Sequence, residues 1–340
     1  MEIGIIANPA AGKDIRRLVA HATVIDNNEK VDIVKRIILA SQSFGIERVY
    51  IMADAFYIGY KVVESLETIK KLKCDVEIIN DHVTYSLEDT IKATQLLEEK
   101  NVDCILSLGG DGTNRAIARV IGDTPLLPIS TGTNNVYPEM VEGTIAGIVA
   151  AIVSKNIIHK DEFCSKDKII EIYKNNKLID IALIDVVISK EQFIGAKAIW
   201  NLSSISDIIV SRANPWSIGF SSIAGYIKTV HREDNFGLYL DLKENNAKKK
   251  EVIAPVAPGI LEKIQVSEVK KLNIDEEFIY QVEVPGTLAL DGEREIEIKK
   301  GDNITFKITR NGPCRVDVKK ALEWAQSRNF FTEESANAKI

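Results

Sequence analysis

The stretch Cys104-Ile105-Leu106-Ser107-Leu108-Gly109-Gly110-Asp111-Gly112-Thr113 joins a short, mostly apolar run to three glycines and a single acid. The run predicts a buried strand, and the apolar spacing from Thr113 to Ile121 predicts a helix directly after it. Glycines at 109, 110 and 112 let the backbone approach a ligand with no Cβ in the way. The helix start adds unpaired amides and a positive dipole end, which suit phosphate oxygens. Asp111 does not belong in a plain phosphate cradle, because a carboxylate repels the ligand. It fits there if it holds Mg²⁺ through water or accepts a proton from an attacking hydroxyl. The competing reading is a tight turn with Asp111 exposed and Thr113 capping the helix.

The same alternation extends outward through the first half of the chain. Glu2 to Ala7 predicts a strand, and Asp26-Asn27-Asn28 an N-cap for a helix over Lys30 to Ser43 with Val31, Val34, Ile38 and Leu39 on one face. Strands over Val49 to Met52, Val76 to Ile79 and Leu126 to Ile129 follow, separated by helices over Tyr57 to Lys71 and Ser86 to Lys100. Strands spaced this way imply a parallel sheet with both faces covered. Ligands bind such sheets beyond the carboxyl ends of the strands. Two further polar segments lie there: Asn8-Pro9-Ala10-Ala11-Gly12-Lys13 after the first strand, and Ser130-Thr131-Gly132-Thr133-Asn134-Asn135 after Ile129. The first lacks the spacing of a Walker A loop. Turn and cap chemistry explain each segment singly, and their shared placement favours phosphate binding.

Beyond about residue 158 the runs become short, β-branched and alternating, as in Leu178 to Ile188, Phe278 to Val284 and Ile304 to Ile308. That pattern predicts a largely antiparallel β region. The expected organisation is therefore an α/β nucleotide-phosphate-binding domain over 1–158 and a β-rich substrate-binding domain over 159–315. A final helix and polar tail over 316–340 would return toward the first domain. The chain has 340 residues and a formal net charge of −6. It lacks the basic excess that dominates nucleic-acid affinity, so no nucleic-acid partner is expected. Its longest apolar run, Ile145 to Val153, is interrupted by Gly147 and falls well short of the ~20 residues that span a bilayer. No membrane partner is expected. Four scattered cysteines and an N-terminus without a basic region point to a reduced, cytoplasmic protein.

Gly109 to Thr113 is the GGDGT signature of NAD kinases, diacylglycerol kinases and sphingosine kinases. Asn8-Pro9-x-x-Gly12 and Gly132-Thr133-Asn134-Asn135 resemble segments of the lipid-kinase branch. The extended opening, Gly4 through Arg36, is most similar to the ATP-NAD kinase-like proteins of the acetoin-catabolism protein X type. The resemblance implies a Rossmann-like parallel α/β domain followed by a mostly antiparallel β domain. It implies ATP as phosphoryl donor, Mg²⁺ carried by the nucleotide phosphates with Asp111 as a candidate ligand, and NAD as acceptor substrate. Gly109, Gly110, Gly112 and Thr113, together with Asn8, Gly12 and Lys13, would hold phosphate. Thr131, Gly132, Thr133, Asn134 and Asn135 would contact the nucleotide, and Asp111 would be the catalytic base.

Further along, Ala182 to Ile188 resembles the NAD kinase segment A-L-N-E/D-V-V-I, with Asp185 at the acidic position and Ile184 where the family has Asn. Ser221 and Ser222 stand in a loose counterpart of the family's serine/threonine-rich substrate loop. Asp291-Gly292-Glu293 matches the late D-G-E of the lipid kinases, which makes Glu293 a second candidate catalytic acid. Asp-Gly between two strand-like runs is also a hairpin signal in its own right. Relatives often form dimers or tetramers, so the resemblance implies a homo-oligomer. Two other functions fit the same residues: a kinase acting on a lipid, polyol or small catabolic metabolite, and a catalytically silent nucleotide-binding regulator.

Overall fold

A computed structural model describes residues 1–11, 25–80, 82–191, 202–243 and 250–332, without the side chains of 294 and 295. The first half lays down five parallel strands: β1 (Glu2–Ala7), β2 (Arg48–Met52), β3 (Asp75–Ile79), β4 (Cys104–Gly109) and β5 (Leu126–Ser130). Between and after them run α1 (Asn27–Ser43), α2 (Ile58–Thr68), α3 (Leu87–Glu99), α4 (Asp111–Ala118) and α5 (Gly143–Lys155). Strands β4 and β5 are buried along their whole length, as their mostly apolar composition favours in a sheet covered on both faces. Asp26 caps α1 by accepting from the Glu29 amide, and Ser86 caps α3 by accepting from Glu88.

The sheet order is β3-β2-β1-β4-β5, extended by the strands Cys314–Val316 and Cys164–Lys166. The chain reverses its direction of winding between β1 and β4. Loops leaving the carboxyl ends of those two strands diverge to opposite faces and open a crevice there. The segments that begin at Asn8 and at Gly109 are those loops. The sheet also takes two strands from beyond residue 158, and the helix Val318–Ser327 sets Ala321 and Ala325 into the core beneath α5.

The second region is antiparallel. A six-stranded sheet carries Asp185–Ser189, Ile205–Val210 and Gly286–Leu290 at its centre, and a four-stranded sheet carries Ile169–Lys174 and Asn303–Thr309. Ile172 and Phe306 of the smaller sheet share a core with Ile188, Leu288 and Leu290 of the larger. Asp291 and Gly292 form the two-residue hairpin that their sequence signals. Their φ values are 49° and 85°, so both central residues lie in the left-handed region, as a type I′ turn needs. That hairpin tip points Glu293 back toward the crevice of the parallel sheet.

Candidate active site

A cavity of about 700 Å³ occupies this crevice. One wall comes from the loops after β1, β4 and β5, and the other from Ile184, Asp185, Gly219, Phe220 and the Asp291–Glu293 hairpin. Asp54 and Asp89 line the far side.

Helix α4 begins at Asp111, two residues before the predicted start, with Gly110 as its N-cap. The cap has no side chain to bond the first-turn amides, and Gly110, Asp111, Gly112 and Thr113 line the cavity at the positive end of the helix dipole. Thr113 is therefore inside the helix and not its cap. Its hydroxyl accepts from Asn8 Nδ2 at 2.9 Å, while the Asn8 amide donates to the Leu108 carbonyl at 3.1 Å. The first and second loops are tied together by these bonds. Beneath them lies Lys30, 1% exposed, whose ammonium donates to the carbonyls of Asn8 and Ala11 at 2.9 Å each. Lys30 shares the buried face of α1 with Val34 and Ile38, four and eight residues on. That spacing was the signal available in the sequence.

The glycines also serve the packing between loops. A Cβ on Gly109 would stand 2.6 Å from Thr113 Cβ, one on Gly110 2.7 Å from Asn135 Oδ1, and one on Gly112 3.3 Å from Glu293 Oε1. They let three loops close on one another as much as they let a ligand approach. Gly110→Ala should push the Asn135 amide off its partners and lower stability by about 1–3 kcal/mol, the range for overpacking. A denaturant titration of the variant checks this.

The Asp111 carboxylate lies on the cavity wall and is gripped from the third loop. The Tyr137 amide donates to Oδ1 at 2.8 Å, and the Val136 amide to both oxygens at 3.1 Å. The third loop is itself closed at its base, where the Ser130 amide donates to the Glu139 carbonyl at 2.8 Å. Inside it, Asn135 Nδ2 donates to Ser130 Oγ at 2.8 Å. Gly132, Thr133, Asn134 and Asn135 line the cavity, whereas Thr131 is buried behind it.

On the opposite wall, Asp185 is buried at the start of its strand beside Ile184. Asp291, which the sequence marks as a turn residue, organises this wall. Its carboxylate accepts the amides of Leu183, Ile184 and Asp185 at 2.9, 2.7 and 3.2 Å, and stands 3.6 Å from Arg115 Nε. Burial pushes its carboxyl above the usual carboxylate range, against the pull of Arg115 and the three amides. Arg115 also pairs with Asp180 at 3.4 Å, and Arg119 Nε donates to Asp180 at 2.9 Å. Helix α4, which carries Asp111, is thus fastened to the β region from its far end. Arg115 follows Asp111 by one helical turn, a spacing visible in the sequence although its burial was not.

The predicted residues do not all arrive at the cavity. Ser221 and Ser222 sit in the short helix Phe220–Gly225, fully buried, and Ser222 Oγ donates to the Gly219 carbonyl at 2.6 Å. Their hydroxyls stay behind the wall that Phe220 presents, so the expected substrate contact is not made by these serines. Gly12 and Lys13 lie outside the described residues. Among the described residues, no group of three or more His, Cys, Asp or Glu side chains is placed to hold a metal ion, so those residues build no cation cage around Asp111. No helix among them is long and apolar enough to cross a membrane.

Residues 3–157 match the family model described as ATP-NAD kinase N-terminal domain, and residues 168–311 match the acetoin catabolism protein X C-terminal domain. Acetoin catabolism protein X of Cupriavidus necator is 34% identical over 332 residues, covering 95% of this chain and 92% of that one. The chain belongs to the acetoin catabolism protein X family. In this chain a first region of the ATP-NAD kinase type is joined to a β-rich second region of the protein X C-terminal type. Among solved structures, yeast NADH kinase complexed with NADH superposes with a TM-score of 0.52 at 12% identity, over 98% of this chain and 88% of that one. That likeness extends the shared fold across both regions.

Proposed function

We propose that this member of the acetoin catabolism protein X family is an ATP-dependent kinase that phosphorylates the ribose 2′-hydroxyl of NAD(H). The observation that carries the reading is the Asp111 carboxylate, held by two amides on the wall of the crevice where the sheet reverses its winding. Phosphoryl transfer asks for positioning and charge neutralisation more than for covalent help. The open first turn of α4 receives phosphate oxygens, and Thr133 and Asn134 contact the nucleotide. Asp111 orients the acceptor hydroxyl and takes its proton. The new O–P bond forms as the bond to the terminal phosphoryl group of ATP breaks, and ADP leaves with that electron pair. A divalent cation carried on the phosphates would neutralise their charge, and the chain's described residues add no cage for it.

The acceptor enters against Ile184, Asp185 and Glu293, and Glu293 is a second acid beside the reacting groups. Ile184 favours a second reading. Its apolar side chain stands where NAD kinases present an amide, so a hydroxyl acceptor that needs no amide partner fits the wall equally well. Incubating the protein with ATP, Mg²⁺ and, separately, NAD, NADH, diacylglycerol and a panel of polyols decides between them. The first reading expects NADP or NADPH. Phosphate found only on another acceptor selects the second.

A further inference from the structure

We propose that Tyr137, clasped between the guanidinium groups of Arg212 and Arg315, is a positioning residue that fixes Asp111 relative to the acceptor wall. This rests on the kinase reading above.

Tyr137 is fully buried. Its amide donates to Asp111 Oδ1 at 2.8 Å, and its carbonyl accepts from Arg315 Nη1 at 2.5 Å. Both polar ends of one peptide segment are therefore engaged, one by the catalytic acid and the other by a buried arginine. The ring is held as firmly. The Arg315 guanidinium lies 4.9 Å from the ring centroid and that of Arg212 5.1 Å from it, both within cation–π range. Burial, then the nearby Asp167 carboxylate, keeps the phenol well above its ordinary range against both arginines, so the ring stays neutral. The arginines have anchors of their own. Arg315 Nη2 donates to Glu139 at 2.8 Å, and Arg212 stands 3.3 Å from the buried Asp167 carboxylate.

The two arginines come from different parts of the fold. Arg315 sits on the strand inserted beside β5. Arg212 follows Ser211, whose amide donates to the Ile184 carbonyl at 2.8 Å and whose hydroxyl donates to the Leu183 carbonyl at 2.5 Å. The acceptor wall and the base are consequently joined through one short buried path: Leu183 and Ile184, Ser211 and Arg212, Tyr137, Asp111. A displacement of about 1 Å between a base and its hydroxyl is enough to cost ~100-fold in rate. Lysine cannot reproduce this clasp, because it has neither the planar fork nor the stacking face of arginine.

The test uses the full chain carrying Arg315→Lys, Arg212→Lys or Tyr137→Leu. Arg315→Lys should lower kcat by about 10–100-fold while leaving KM for ATP within about twofold, the pattern of lost transition-state positioning. Hydrogen exchange at the Val136 and Tyr137 amides should quicken by about tenfold or more, with β1 and β4 amides unchanged. Tyr137→Leu removes the ring that both guanidinium groups clasp, so it should show the same loss of kcat and the same quickened exchange. If Arg315→Lys does not fold, Arg212→Lys removes the other guanidinium of the clasp and carries the same expectation. Unchanged exchange at residues 136 and 137 in a folded lysine variant overturns the proposal, whatever turnover does. So does a folded Tyr137→Leu protein whose turnover and exchange match the parent. If the parent protein phosphorylates no acceptor, the kinase reading fails, and the exchange result still decides whether Tyr137 positions Asp111.

Discussion

Asp111→Asn should lower phosphoryl transfer by about 10²–10⁴-fold, the usual contribution of a positioned general base. The protein should remain folded. Asn keeps one oxygen that can accept the Tyr137 or Val136 amide, so the cost in stability is about 1–3 kcal/mol, that of one badly placed buried polar group. Two measurements on the same variant separate two roles. If Asp111 only staples the third loop to α4, stability falls while turnover per folded molecule holds. If it also serves the acceptor hydroxyl, turnover falls far more than stability can explain. The geometry favours the second outcome, because the amides of Val136 and Tyr137 orient the carboxylate without removing it from the cavity wall.

Asp291→Ala should give the largest loss of stability, about 3–5 kcal/mol, as expected when one partner of a buried pair is removed. Three amides at 183–185 lose their acceptor, and Arg115 is left with Asp180 at 3.4 Å for its charge. A domain with ~5–15 kcal/mol of total stability would be brought close to unfolding by such a change. Urea titration measures it directly. Asp291→Asn keeps the shape and one acceptor oxygen, so it should cost less. A small effect for Asp291→Ala would mean that the 183–185 backbone is held by its strand pairing alone.

The parts of this site that were legible in the sequence are the local ones. A strand, a glycine-rich turn and a helix must follow one another at 104–118, and the alternation of such units dictates a parallel sheet with its loops at one end. The Asp291–Gly292 hairpin is equally local, since a type I′ turn is written into two adjacent residues. What escaped is everything set by contacts between distant segments. Nothing near Asp111 announces that residues 136 and 137 will supply its amides, or that Gly110 must be glycine because Asn135 lies against it. Asp291 looks like a turn residue until the neighbouring strand brings its three amides to the carboxylate. Ser221 and Ser222 mislead for the opposite reason. Their loose likeness to a family substrate loop suggests ligand contact, but the helix they enter buries both, and Ser222 bonds carbonyls of the chain itself.

The most direct test is a crystal structure with a non-hydrolysable ATP analogue and NADH bound together. The terminal phosphate should lie against the amides that open α4, with the ribose 2′-hydroxyl within hydrogen-bond distance of Asp111. A nucleotide seated elsewhere, with Asp111 bonded only to Val136 and Tyr137, would contradict the account.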